Sequence, residues 1–172
     1  PDINLDIHNQ SMNIQLGSII NGLDDYINLN TTKSLFVFGD VTSTLSGAIV
    51  AKNNSVDCFH VEAGLRSNNL NMPEERNRIM VDSICDKLFT PSPDAVDNLL
   101  NENISMEKIS NVGNIMIDTL VDNYEKITSS KNKISSEFSI NRDYFVLTLH
   151  RPANLIDEKL SIIFDGLLEF TD

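Results

Sequence analysis

The chain has 172 residues, 41% of them hydrophobic, and a formal net charge of −12 at pH 7. That length fits one ordinary domain, or one domain with part of a second, and the hydrophobic share suffices for a core. The acidic balance argues against nucleic acid or an anionic membrane as the main partner, and no apolar run approaches the ~20 residues that span a bilayer.

The chain opens at Pro1 without Met and without the charged, apolar and small-residue order of a secretory leader. The expectation is a cytoplasmic protein whose sequence starts within a longer gene. Apolar side chains at Met12, Ile14, Leu16, Ile19, Ile20, Leu23 and Ile27 recur at helical spacing. A polar turn over 28–33 leads to a short apolar strand, Ser34–Phe38, ending at Gly39-Asp40. A helix over 42–52, rich in small residues (Ser46, Gly47, Ala48, Ala51), suits close packing on a sheet. The next strand is Val56–His60, and Pro73, a residue type favoured at a first helical position, opens another helix. A strand over Lys87–Thr90 stops at Pro91, and a short helix covers 94–101. A weak strand around Ile109 ends near Gly113, and a helix is expected over 114–127.

From Thr128 the periodic apolars give way to Ser, Lys and Asn, which reads as a linker over 128–143. Tyr144–Leu149 (YFVLTL) reads as the strongest strand in the sequence, followed by His150-Arg151-Pro152 and a final helix over 157–170. Short apolar strands alternating with helices argue for α/β, a Rossmann-like parallel sheet with helices on both faces. The expected divisions are a partial first domain over 1–127, the linker, and the start of a second Rossmann-like domain over 144–172.

In such a sheet, ligands bind beyond the carboxyl ends of the strands. The stretch HVEAGLRSNNLNMPEERNR, from His60 to Arg78, leaves one such strand end. Gly64 and Arg66 beside Glu62 suggest a backbone shaped to meet a ligand. His60 reads as a hydrogen-bonded core histidine, and Glu75 as an acidic residue suited to the positive end of a helix. Asp40 either caps the following helix or joins a site. His150-Arg151 after a buried strand suits a phosphate or carboxylate. The two cysteines, Cys58 and Cys85, have neither CxxC spacing nor histidines at a zinc-like interval. They read as buried thiols, and no metal is expected.

The runs GDVTSTLSGA, HVEAGLRS, MPEERNR, VGNIMIDTL and LTLHRP, in this order, closely resemble the non-hydrolysing UDP-N-acetylglucosamine 2-epimerases. The resemblance runs from Ser34 onward. It implies a two-domain architecture like that of the B-type glycosyltransferases, with a UDP-sugar between two Rossmann-like domains, of which this chain is a piece. It implies that Asp40, Glu62, Glu74 and His150 are catalytic, and that Asp40, Glu62, Arg66, His150 and Arg151 touch substrate. Phe38 and Ala153 depart from the residues that members often carry before Gly-Asp and after the His-Arg pair.

The implied reaction expels UDP from C1, passes through 2-acetamidoglucal and returns UDP with protonation on the other face of C2, without a cofactor. Two proton-transfer groups are then needed on opposite sides of the sugar, and the three carboxylates should converge on one cleft. Surface polysaccharide biosynthesis and a homodimer are the implied setting. A related UDP-diacetamido uronic acid epimerase, a glycosyltransferase of the same architecture and an inactive piece of the epimerase are the alternatives.

Overall fold

The computed structural model describes residues 3–8, 10–139, 144, 146–149 and 154–171. The chain divides into two compact units, Pro1–Asp122 and Asn123–Asp172.

The first unit is built on four parallel strands, β1 (Ser34–Phe38), β2 (Asp57–Val61), β3 (Lys87–Thr90) and β4 (Ile109–Asn111), in the order β1-β2-β3-β4. Helices α1 (Met12–Leu29), α2 (Thr42–Asn53), α3 (Pro73–Ile84) and α4 (Pro93–Asn101) precede or connect them, and α5 (Ile115–Asp122) follows. The parallel sheet expected from the alternating pattern is present. Sequential strand order combined with right-handed crossovers carries α2, α3 and α4 to one face of it. On that face lie Val37, Cys58, His60, Leu88 and Thr90, all buried. The opposite face carries the ring row Phe36, Phe59 and Phe89, with centroids 4.9 Å and 6.4 Å apart between neighbouring strands.

Local sequence explains the close fit of α2. Ser46, Gly47, Ala48 and Ala51 are buried, and a Cβ on Gly47 would come within 2.9 Å of a Val37 methyl. A larger side chain there would push the helix off the strand. Leu45, Ala48, Val50, Val56, Val81, Leu88 and Leu99 form the core between helices and sheet. Pro73 stands at the start of α3, and Pro93 at the start of α4, where Ser92 accepts from the Ala95 N–H at 3.4 Å. Both prolines occupy a position whose N–H has no helical partner to lose.

Three expectations change beyond Gly113. The single helix over 114–127 is interrupted at Asn123, and α6 spans Tyr124–Glu137. The first ten residues of the expected linker, Thr128 to Glu137, are therefore helical. Its hydroxyls do not break the helix because they fold back onto it. Thr128 bonds to the Tyr124 carbonyl, and Ser130 Oγ donates to the Lys126 carbonyl at 2.8 Å. Tyr144 and Val146–Leu149 form no strand, and Tyr144, Val146 and Leu147 are exposed. A strand exists only through a paired neighbour, and apolar composition alone does not supply one. Phe145 lies outside the described residues. The second unit closes on α7 (Asp157–Thr171), as the apolar spacing there predicts. No helix among the described residues is long and apolar enough to cross a membrane.

Candidate active site

β1 and β2 pair in register, with Phe38 opposite Val61, so Asp40 and Glu62 leave from neighbouring strand ends. The Gly39 N–H donates to the Val61 carbonyl at 3.1 Å and joins the two turns. Gly39 has a φ of +67°, and a Cβ there would lie 3.7 Å from Glu62 Oε2. The Glu62 carboxylate therefore rests against the turn that carries Asp40. Glu62 itself has a φ of +75°. For a side chain other than glycine the left-handed region costs roughly 1–2 kcal/mol. The turn holds it there through two donors to one acceptor: the N–H groups of Glu62 and Ala63 both reach the Phe89 carbonyl, at 3.1 and 3.0 Å. Such a conformation persists only where the surroundings over-determine it, as at functional turns.

Gly64 follows at φ +81°. A Cβ here would collide with the Ala95 carbonyl oxygen and lie 2.9 Å from its carbon. Only glycine lets the turn pass beneath α4, where Asn98 Nδ2 donates to the Gly64 carbonyl at 2.9 Å.

Helix α3 organises the rest. Residues three and four apart share a helix face, and Glu75, Arg78 and Asp82 form such a row, pointing into the protein. Arg78 is ion-paired with Asp40 on one side and with Glu75 at 2.7 Å on the other. Asn77 Nδ2 donates to the Asp40 carbonyl at 2.8 Å. The Asp40 carboxylate is thus held by a cation, not set bare against other carboxylates. Glu74, exposed in the first turn of α3, lies one turn from Arg78 at i,i+4 spacing and so on its side of the helix.

Glu75 corrects the expectation of a solvated helix start. It is only 1% exposed, and it accepts from the Ser67 N–H at 2.9 and 3.0 Å and from the Asn68 N–H at 2.9 Å. Burial pushes its carboxyl up, but those N–H groups and the Arg78 charge outweigh burial and hold it below the ordinary value. It fastens the loop between Glu62 and Glu74 to α3.

Arg66 is drawn inward. Nε and one terminal nitrogen bond the Glu102 carboxylate at 2.6 and 2.7 Å, and the other terminal nitrogen lies 2.8 Å from Asp82. Burial opposes its charge, and Glu102 and Asp82 outweigh that and raise it above its ordinary value. His60 is a fully buried, hydrogen-bonded core histidine, as its position in the strand suggested, with its ring between Asp82 and Gly39. His150 and Arg151 lie outside the described residues. Among the described residues no cluster of three His, Cys, Asp or Glu side chains could hold a metal ion.

Sequence reading missed Asn77, Arg78 and Asp82. The signal was available: Asn77 and Asp82 flank the inward Val81 on an amphipathic helix, and a polar residue on a core-facing stripe is the informative exception.

The family model described as UDP-N-acetylglucosamine 2-epimerase matches residues 1–172. The UDP-N-acetylglucosamine 2-epimerase of Methanocaldococcus jannaschii is 38% identical over 176 residues, covering 100% of this chain and 48% of that protein. The UDP-2,3-diacetamido-2,3-dideoxy-D-glucuronate 2-epimerase of Pseudomonas aeruginosa is 39% identical, covering 98% and 47%. The crystal structure of the Methanocaldococcus jannaschii enzyme in complex with UDP-GlcNAc and UDP superposes with a TM-score of 0.88, over 98% of this chain and 47% of that one. The Rickettsia bellii UDP-N-acetylglucosamine 2-epimerase structure, 28% identical, superposes at 0.89 over 99% of this chain and 46% of its own. The chain spans about half the length of these relatives. With the family model matched from end to end, and with relatives this similar in sequence and fold, the chain belongs to the UDP-N-acetylglucosamine 2-epimerase family.

Proposed function

We propose that this chain supplies the acid–base half of an enzyme that inverts C2 of a UDP-linked 2-acetamido sugar, UDP-N-acetylglucosamine in the first instance. The observation that carries this is the pair Asp40 and Glu62 on adjacent parallel strand ends, with Glu62 in a left-handed turn against Gly39. Family membership sets the glycosyltransferase alternative aside.

In this reading the C1–O bond breaks as UDP departs, and a carboxylate takes the C2 proton, giving 2-acetamidoglucal. UDP then returns to C1 while a second carboxyl protonates C2 on the opposite face. Asp40, Glu62 and Glu74 are the proton-transfer candidates, and general acid–base steps of this kind contribute roughly 10²–10⁴-fold. His150 and Arg151 are assigned to the charge growing on departing UDP. No cofactor takes part. Arg66 acts on substrate only through the loop it holds, because its donors are engaged by Glu102, Asp82 and the Leu65 carbonyl.

The test follows C2 by proton NMR in deuterated water with UDP-N-acetylglucosamine. It uses this chain and the same chain extended to the length of its relatives. Deuterium should enter C2 in the extended protein, and Glu62→Gln should slow that exchange by about 10²-fold or more while the fold is kept. Exchange at the parent rate in Glu62→Gln removes Glu62 as a proton-transfer group. Activity of the extended protein only would leave this chain as an inactive piece.

A second substrate is favoured by one specific observation, the 39% identity to the diacetamido-glucuronate epimerase. Exchange in the diacetamido uronate and none in UDP-N-acetylglucosamine would make that reading the right one. The proposal also takes the whole protein to be a cytoplasmic homodimer in surface polysaccharide biosynthesis, with no membrane or nucleic-acid partner. Light scattering of the extended protein tests the dimer.

A further inference from the structure

Four polar groups lie behind the candidate site in one chain of contacts: His60 and Asp82, both buried, Arg66, whose side chain is largely buried, and the exposed Glu102. Asp82 and His60 are fully buried, and neither belongs to the proton-transfer set. An unshared buried carboxylate is costly, so a sequence that keeps one must give it partners. Asp82 has three. Its Oδ1 lies 2.6 Å from His60 Nδ1, and its Oδ2 accepts the Gly64 N–H at 3.1 Å and meets Arg66 at 2.8 Å. On the far side of the ring, His60 Nε2 lies 2.9 Å from the Gly39 carbonyl. Both ring nitrogens therefore face oxygen, and the His60 ring bridges the Asp82 carboxyl and the Gly39 carbonyl.

Those end points matter because of where they sit. Gly39 precedes Asp40, and Gly64 stands two residues after Glu62. Gly39, Glu62 and Gly64 all have positive φ. Two left-handed turns, each carrying one candidate proton-transfer group, are thus tied to a single carboxylate. One tie is direct, through the Gly64 N–H, and the other runs through the His60 ring to the Gly39 carbonyl. Asp82 stands two turns further along α3 than Glu74, so both turns are tied to the helix that carries the third candidate carboxylate.

We propose that Asp82, acting through the His60 ring and the Gly64 N–H, is the positioning residue that sets the Asp40 and Glu62 turns relative to each other. The inference rests on the epimerase reading for its consequence in catalysis, but its structural content stands apart from that reading. Asn at position 82 keeps the size of the side chain yet cannot accept from Gly64, Arg66 and His60 together. One of the two turns must then relax. A displacement near 1 Å at the reacting groups costs on the order of 10²-fold in rate, whereas nucleotide contacts elsewhere are untouched.

Two measurements test it. In this chain, amide NMR of Asp82→Asn should show shifts at both Gly39-Asp40 and Glu62–Gly64. His60→Gln should move the Gly39-Asp40 amides and leave the Gly64 amide near its parent position. In the extended protein, Asp82→Asn should lower kcat for C2 exchange by about 10²-fold with KM within about twofold. A residue that served stability alone would lower the melting temperature and leave kcat of the folded fraction at the parent value.

Unmoved Gly39-Asp40 amides in both variants overturn the proposal whatever the activity. Should Asp82→Asn not fold, His60→Gln alone decides by the same two readouts. Absence of C2 exchange in the unmutated extended protein would overturn the epimerase reading, and the amide shifts would still decide whether Asp82 sets the two turns.

Discussion

Arg78 ion-pairs with Asp40 while its neighbour Asn77 donates to the Asp40 backbone carbonyl at 2.8 Å, so two successive residues of α3 grip one residue at the end of β1. The Arg78 guanidinium also holds the buried Glu75 at 2.7 Å. Hydrogen bonds to charged groups contribute roughly 1.5–3 kcal/mol each. Arg78→Ala should therefore lower unfolding free energy by about 2–4 kcal/mol in urea titrations. Arg78→Lys should recover little of it, since an ammonium lacks the planar fork that serves both carboxylates. A loss below about 0.5 kcal/mol for Arg78→Ala would make this a surface pair of no consequence.

Glu75 should leave a signature in acid. Its folded value is held below the ordinary 4.5, so the unfolded chain binds its proton first as pH falls. The stability it contributes is complete above about pH 4.5 and is lost as pH drops towards the depressed folded value. Asp86 acts in the same direction. Burial pushes its carboxyl up, but the Cys58 N–H and Lys52 outweigh burial and hold it below its ordinary 3.8. Glu75→Gln should cost about 1–3 kcal/mol near neutral pH. It should also flatten the fall in stability between about pH 5 and pH 3. An unchanged slope in that range would mean the Ser67 and Asn68 contacts do not favour the charged form.

Gly64→Ala tests the turn itself. The added methyl has to occupy the space of the Ala95 carbonyl and adopt a positive φ. The expected loss is at least about 3 kcal/mol, or failure to fold. Gly17→Ala, in open space on α1, is the control and should stabilise by up to about 1 kcal/mol. Equal melting temperatures for the two variants would contradict the packing of α4 over this turn.

Cys58 and Cys85 are both fully buried, with sulfurs 3.3 Å apart. The Cys85 thiol is pushed far up because it donates its proton to Cys58, and burial and the nearby carboxylates of Asp82 and Asp86 add to this. Since the thiolate is the reactive form, Cys85 should resist iodoacetamide in the native protein and react once guanidinium unfolds it. Mass spectrometry of the peptides reads this directly, and native labelling of Cys85 would show that the α3–β2 seam opens readily.

Much of the architecture is legible from residue spacing. Helical recurrence of apolars marks α1, short apolar runs mark β1 and β3, and Pro73 and Ser92-Pro93 mark two helix starts. Spacing fails where a decision depends on a partner. The run at 144–149 has strand composition, but strand formation needs a neighbour. The Ser- and Lys-rich residues from Thr128 have linker composition, but their hydroxyls bond back along α6. Both errors come from reading composition where hydrogen-bond partners decide.

The sequence by itself determined the strand-end placement of Asp40 and Glu62, the entry of Glu74 into a helix, and the family, because each rests on local order along the chain. Tertiary structure alone decided which charges are free. Arg78 reaches Asp40 across 38 residues, Arg66 reaches Glu102 across 36, and His60 reaches Asp82 across 22. Those separations are spanned by crossover connections whose register no local pattern encodes. Arg66 consequently reads as a substrate contact in the sequence, yet it folds inward onto Asp82 and Glu102, because the crossovers bring those partners to it.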